Sequence, residues 1–203
     1  MAKRVFDVLA SVVALAILWP FLLLVAAWVR LDSPGPALFR QVRVGRAGRS
    51  FTLLKFRTMA ARPLPGPLVT AAGDPRITRA GRWLRATKLD ELPQLLNVLA
   101  GDMSLVGPRP EVPRYVALWP PHQRDLVLSV RPGITDEAAV VYRDEERLLA
   151  RAADPERLYV EEILPRKLGL YVAYVQGRTF GGDLRLLGRT FVTLLKRDEV
   201  PSR

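Results

Sequence analysis

Asp90 and Glu91 stand side by side in Lys88-Leu89-Asp90-Glu91-Leu92-Pro93-Gln94, the segment of this chain densest in reactive groups. Adjacent carboxylates offer a nucleophile and an oxygen ligand for a divalent cation. Arg79, Arg82, Arg85 and Lys88 precede the pair and Arg109 follows it, so groups that neutralise phosphate flank it in sequence. A plainer reading has the pair open a helix, with Asp90 as the N-cap, Glu91 complementing the helix dipole and Pro93 tolerated in the first turn. That arrangement is worth about 1 kcal/mol. Spacing alone does not separate the two.

Composition narrows the chemistry further. The 203 residues include no cysteine and one histidine, His122. Thiolate nucleophiles, disulfides, zinc fingers and iron–sulfur clusters are excluded, and a Ser-His-Asp triad would have to use His122. Any metal must be held by oxygen, which points to Mg²⁺ or Mn²⁺. Basic residues number 31 against 20 acidic, a net charge of +11, so anionic partners are expected. The 49% apolar content belongs to a folded unit with a real core.

Several elements must position the acidic pair. Leu38–Val44 and Phe51–Phe56 read as short strands of a hairpin across Gly45-Arg46-Ala47-Gly48. Residues 62–73, rich in Pro, Gly and Ala, read as loop, and Ile77–Thr87 as helix. Leu92, Leu95, Leu96 and Leu99 recur at helical spacing, and Gly101, Gly107, Pro108 and Pro110 end that helix in an irregular connection. The fold class expected is α/β, a helix-rich mixed domain with a small sheet. Near the C-terminus Leu184, Leu187, Phe191, Leu194 and Leu195 share a helical face beside Arg185, Arg189, Lys196 and Arg197. That face packs on the core or lies at a lipid interface.

The N-terminus carries a different signal. Val8–Val29 contains no ionisable residue and would extend roughly 33 Å as one helix, about the thickness of a hydrocarbon core. Lys3 and Arg4 precede the stretch, and Arg40, Arg43, Arg46, Arg49, Lys55 and Arg57 follow it. A straight span would leave one basic flank outside, against the positive-inside bias. A helix broken at Trp19-Pro20 that returns to its starting face keeps both flanks inside. These residues leave spanning and re-entrant arrangements open.

Longer motifs carry a resemblance. Lys55-Phe56-Arg57-Thr58-Met59, Asp74-Pro75-Arg76-Ile77-Thr78, Leu89–Val98, Gly101–Glu111 and Arg131-Pro132-Gly133-Ile134-Thr135 resemble, in order and spacing, the bacterial sugar transferase family of monotopic phosphoglycosyl transferases. The likeness runs from Lys3 to about Thr190. It implies a re-entrant membrane helix over residues 1–30 broken at Pro20, and a catalytic domain over 31–203 at the cytoplasmic face of the bacterial inner membrane. It further implies Asp90 as nucleophile, Glu91 as Mg²⁺ ligand, and Lys55, Arg57, Arg85 and Arg109 around the donor phosphates. The implied reaction moves a phospho-sugar from a nucleoside diphosphate sugar, of the UDP-sugar type, to polyprenol phosphate through a covalent aspartyl intermediate, releasing UMP. Asp136 and Ala139 depart from the family pattern, where Gly and Gln are usual.

Other classes fit less well. No two aspartates lie two apart, which disfavours an Asp-x-Asp glycosyltransferase, and no P-loop segment is present. A membrane-anchored protein that only binds nucleic acid or anionic lipid suits the charge, but no DNA-reading motif appears, so no nucleic-acid partner is expected. Membrane lipids are expected partners. The sugar and the oligomeric state, a homodimer included, are left open.

Overall fold

Helix α1 runs from Ala2 to Asp32 in the computed structural model, which describes residues 2–61 and 69–195. The expected loop between residues 62 and 68, and Lys196 and Arg197, lie outside the described residues. Helix α1 runs on through Pro20, where a break was expected, with no interruption of its helical assignment. Proline removes one N–H bond and crowds the carbonyl four residues back, yet the ladder on either side persists. Among the described residues, α1 is the one helix long and apolar enough to cross a membrane. Leu9, Val13, Ile17 and Leu24 on it are all more than half exposed.

Both ends of α1 are tied to the rest of the chain. At the start, Lys3 pairs with Asp183 at 2.6 Å, and Arg4 donates to the carbonyls of Val98 and Leu99. Asp7, buried, accepts from the Ser104 hydroxyl and the Leu105 N–H. At the far end, Val25 and Val29 pack with Phe56, Ala80 and Leu84.

The hairpin forms as expected: β1 (Leu38–Val44) pairs antiparallel with β2 (Ser50–Phe56), Leu38 opposite Phe56. Helix α2 (Arg79–Thr87) is capped by the Thr78 hydroxyl, which accepts from Gly81 N–H, and by Asp32, which accepts from Ala80 N–H. Gly81 lies on the Thr58 backbone, where any side chain would collide with the carbonyl. The turn Leu89–Glu91 leads to α3 (Gln94–Ala100).

The face of α3 differs from the leucine periodicity. Leu96 is exposed, while Gln94, Leu95, Asn97 and Val98 are buried. Asn97 explains the rotation. Its side chain accepts from Leu54 N–H at 3.0 Å and donates to the Thr52 carbonyl at 2.8 Å, bonding to β2 as a further strand would. Two partly buried backbone groups of β2 are thereby satisfied.

Strand β3 (Ser104–Val106) pairs in parallel with β4 (Gly133–Thr135). Gly107 and Gly133 lie backbone to backbone, which only glycine permits. Between these strands come the short helices α4 (Pro113–Val116) and α5 (Pro121–Val127). After them follow α6 (Glu137–Val141), α7 (Glu145–Ala150), α8 (Pro155–Leu158), a wide turn at Tyr159–Ile163, α9 (Leu164–Gly177) and α10 (Phe180–Leu195). Tyr115, Trp119, Leu168 and Tyr171 centre the largest core. The result is the helix-rich mixed fold expected, with two small two-stranded sheets.

On α10 the expected face is only partly the packed one. Leu186 is buried and Leu187 half-buried, but Leu184 and Phe191 are exposed, as are Phe180 and Val192. Phe6 of α1 meets the Phe180 ring edge-on at 5.5 Å.

Asn97→Ala removes both hydrogen bonds to β2, from the Leu54 N–H and to the Thr52 carbonyl. We expect it to destabilise the fold by about 1–3 kcal/mol, read by thermal or denaturant unfolding in detergent. A loss under about 0.5 kcal/mol would show that the two bonds contribute little.

Candidate active site

Lys88 sets the geometry of the acidic pair. It ends α2 in the left-handed region at φ +57°, uncommon for a residue with a side chain. The chain reverses there, and the Leu89–Glu91 turn carries Asp90 and Glu91 inward, each side chain largely withdrawn from solvent. Neither carboxylate caps a helix. Helix α3 begins beyond them at Gln94, with no side-chain cap.

Glu91 is held from two sides. Its Oε1 accepts from Lys55 Nζ of β2 at 3.0 Å, and Arg109 grips both of its oxygens, with Nη1 3.1 Å from Oε2. Burial raises the Glu91 pKa, but the Arg109 and Lys55 charges and hydrogen bonds outweigh it and hold the carboxyl well below its usual range. Arg109 is raised in return, chiefly by Glu91. Lys55 is lowered by burial, with the Glu91 charge opposing.

Asp90 has the opposite character. It is buried, and its Oδ1 has no hydrogen-bond partner. Burial raises its pKa, and the Lys55 charge is the largest influence the other way. One carboxylate is thus committed to an ion pair, while its neighbour keeps an unengaged oxygen. Both line a cleft of about 1270 Å³, together with Lys55, Arg85, Lys88 and Arg109.

The other sequence-expected residues take separate places. Arg57 lines the same cleft, but its guanidinium donates to the carbonyls of Val29, Ser33 and Pro36 and to the Ser33 hydroxyl. It fastens the exit of α1. Arg85 donates to Glu146 at 2.7 Å. Lys3 and Arg4 are bonded at the start of α1 and do not line the cleft, and Trp19 and Pro20 are exposed. Asp136 caps α6 by accepting from Ala139 N–H at 2.8 Å, and Ala139 lines the cleft.

Several cleft residues escaped the sequence reading. Glu111 accepts from the Tyr159 hydroxyl at 2.8 Å and pairs with Arg43, and Lys167 pairs with Glu145. Their partners lie 22 to 68 positions away in the chain, so no local pattern marks them. Glu111, closing the Gly107-Pro108-Arg109-Pro110-Glu111 motif, carried the one available signal.

Among the described residues no group of three or more His, Asp or Glu side chains forms a ready metal site. The donor set is instead two neighbouring carboxylates, one with an orphaned buried oxygen. A Mg²⁺ site completed by substrate phosphates requires no more than one or two carboxylates, and this all-oxygen pair has the donor chemistry for that cation, with Asp90 Oδ1 open and the Glu91 oxygens shared with Lys55 and Arg109.

The cleft thus holds an ionised carboxylate clamped by cations, beside a carboxylate with a free oxygen and near the end of a long apolar helix. The family model described as bacterial sugar transferase matches residues 1–197. The chain belongs to that family and is a transferase. It is 42% identical, over 97% of its length, to a UDP-glucose:undecaprenyl-phosphate glucose-1-phosphate transferase of Caulobacter vibrioides, covering 70% of that protein. It is 41% identical, over 78% of its length, to a UDP-N-acetylgalactosamine-undecaprenyl-phosphate N-acetylgalactosaminephosphotransferase of Aeromonas hydrophila, covering 37% of it. A further UDP-glucose:undecaprenyl-phosphate glucose-1-phosphate transferase, from Klebsiella pneumoniae, is 34% identical over 96% of the chain, which spans 39% of that relative.

Burial pushes the Asp136 carboxyl up to about 6, with the Arg109 charge opposing. The folded value lies above the ordinary 3.8, so Asp136 contributes fully below about pH 4 and its contribution is lost as pH rises through 6. Asp136→Asn keeps a capping oxygen and removes the titration. Its stability relative to the parent chain is expected to rise by about 2 kcal/mol between pH 4 and 7, seen in thermal unfolding across pH. An unchanged pH slope would refute this.

Proposed function

We propose that this enzyme transfers a phospho-sugar from a UDP-sugar to polyprenol phosphate, with Asp90 as the covalent nucleophile. The observation that carries the reading is the contrast between Asp90 and Glu91. Glu91 has its charge fully compensated, while Asp90 lies buried beside the same cations with Oδ1 unbonded. The names of the relatives support the donor and acceptor classes.

In the first step an Asp90 carboxylate oxygen attacks the phosphorus bearing the sugar. An oxygen–phosphorus bond forms, the bond to the bridging diphosphate oxygen breaks, and UMP leaves with that oxygen. In the second step an oxygen of polyprenol phosphate attacks the same phosphorus, Asp90 departs as carboxylate, and a polyprenol diphosphate sugar forms. A carboxylate is a weak nucleophile, so the phosphate oxygens must be neutralised and the approach kept in line. Lys55, Arg85 and Arg109 supply positive charge, and the Lys88 reversal fixes Asp90 in place. Mg²⁺, held by Glu91 with Asp90 Oδ1 beside it, would add charge neutralisation at the diphosphate. Arg57 acts at one remove, holding the cleft wall against the end of α1.

Residues 1–30 form the membrane element in this reading and 31–203 the catalytic body at the cytoplasmic face. A straight helix from Lys3 to Asp32 would place its ends roughly 44 Å apart, on opposite sides of a hydrocarbon layer about 30 Å thick. The polar groups at both ends bond to one folded body, which supports a helix that bends near Trp19-Pro20 and returns. The exposed Phe180, Leu184 and Phe191 support α10 as an interfacial helix beside it.

Purified enzyme given Mg²⁺, a panel of UDP-sugars and undecaprenyl phosphate is expected to release UMP with at least one donor. Asp90→Asn is expected to lower turnover at least about a thousandfold without loss of folding. A mass increase of one phospho-sugar on the Asp90 peptide, formed when acceptor is withheld, identifies the intermediate. Release of UDP instead would mean direct glycosyl transfer and end the Asp90 mechanism. The chain lacks cysteine, so topology is directly testable with Ala2→Cys and Ser50→Cys. Both are expected to react with an impermeant maleimide from the same side; labelling from opposite sides would establish a span.

A further inference from the structure

Helix α7 opens with Glu145 and Glu146, and these two carboxylates reach to two different helices that line the cleft. Glu145 pairs with the buried Lys167 of α9 at 2.6 Å. Glu146 takes Arg85 of α2, with Oε1 2.7 Å from Nη2 and Oε2 3.5 Å from Nε. The Glu146 carbonyl also accepts from Ala72 N–H, fixing the start of α7 to the chain before α2. All four side chains line the cleft. Consecutive residues of one short helix therefore cross-brace the α2 and α9 sides.

The atoms used on Arg85 matter. Glu146 holds the Nε–Nη2 edge of the guanidinium. Nη1 keeps only a long 3.4 Å contact to the Thr58 hydroxyl, and Arg85 lines the same cleft as Asp90. A guanidinium is a rigid fork, so fixing one edge sets the direction of the other. A side-on carboxylate thus orients the remaining N–H donors toward an incoming anion and removes the rotamer entropy that binding would otherwise cost.

We propose that Glu146 is a positioning residue for the donor diphosphate: it aims Arg85 Nη1 at the phosphates beside Asp90, and with Glu145 it couples α7 to the reacting end of the cleft. The inference rests on the donor reading above and adds a residue to it.

Binding of UDP, measured by calorimetry on the full chain in nanodiscs, tests the proposal independently of turnover. Glu146→Ala is expected to weaken UDP binding about tenfold, and Glu146→Gln, which keeps an acceptor but not the charge, by less. In an Arg85→Ala background Glu146→Ala is expected to add less than twofold, because the residue acts through Arg85. With a turnover-competent donor, the donor KM is expected to rise while the KM for polyprenol phosphate stays constant. Three results would overturn the proposal: unchanged UDP affinity with a lowered Tm, tighter UDP binding, or full additivity with Arg85→Ala. The first makes the pair purely structural, and the second makes Glu146 a competitor of the donor. Normal UDP binding and Glu146 coupling without UMP release would refute the phosphoglycosyl reading and leave the brace standing.

Discussion

Glu91 is a carboxylate withdrawn from water, and the local structure depends on how that charge is compensated. Removing it from solvent is costly, and the cost is met only if cations arrive with good geometry. Lys55 comes from the hairpin and Arg109 from the connection after β3, so one ion cluster joins three parts of the chain. The hairpin is held to α3 by Asn97, and β3 is held to β4 through the glycine contact. Each device brings a cation to Glu91. Asp90 follows as a consequence, since the turn that buries Glu91 buries its neighbour too, and the cations are already engaged.

The same logic links the site to the membrane element. Arg57, two residues beyond Lys55, secures the exit of α1, and Asp32 at that exit caps α2, which carries Arg85. Asp7 and Arg4 at the entry bond to β3 and the end of α3. The proposed step on a lipid phosphate would require Asp90 at a defined depth. Short rigid connections from the apolar helix to the catalytic turn meet that need better than a flexible tether. The exposed Phe180 at the start of α10 lies against Phe6 near the start of α1.

Some of this was legible beforehand. The hairpin, α2 and the long apolar helix followed from turn residues, periodicity and the absence of charge. The acidic pair followed from its residue types. The leucine pattern of α3 misled, because it weighed apolar side chains and could not foresee that Asn97 would be drawn inward by the free edge of β2. Pro20 did not end the helix, since a single lost N–H bond does not stop a helix with an intact ladder on both sides. Arg57 looked like a phosphate contact because it lies in a basic motif, yet its donors are consumed by the carbonyls at the end of α1. Glu146 and Lys167 had no local signal, because their meaning lies in partners 61 and 22 residues away.

The sequence by itself determined the chemistry available: two adjacent carboxylates, many arginines, no thiol, and an apolar helix flanked by basic residues. Those are properties of residue types and short-range spacing, which survive without knowledge of the fold. Tertiary structure decided the roles. Asp90 and Glu91 differ by one position in the chain and by nothing in their acid group. Only the arrival of Lys55 and Arg109 on Glu91, and of no hydrogen-bonding group on Asp90 Oδ1, distinguishes them. Burial magnifies that difference, because in a poorly solvated site a charge is governed by the few groups that touch it.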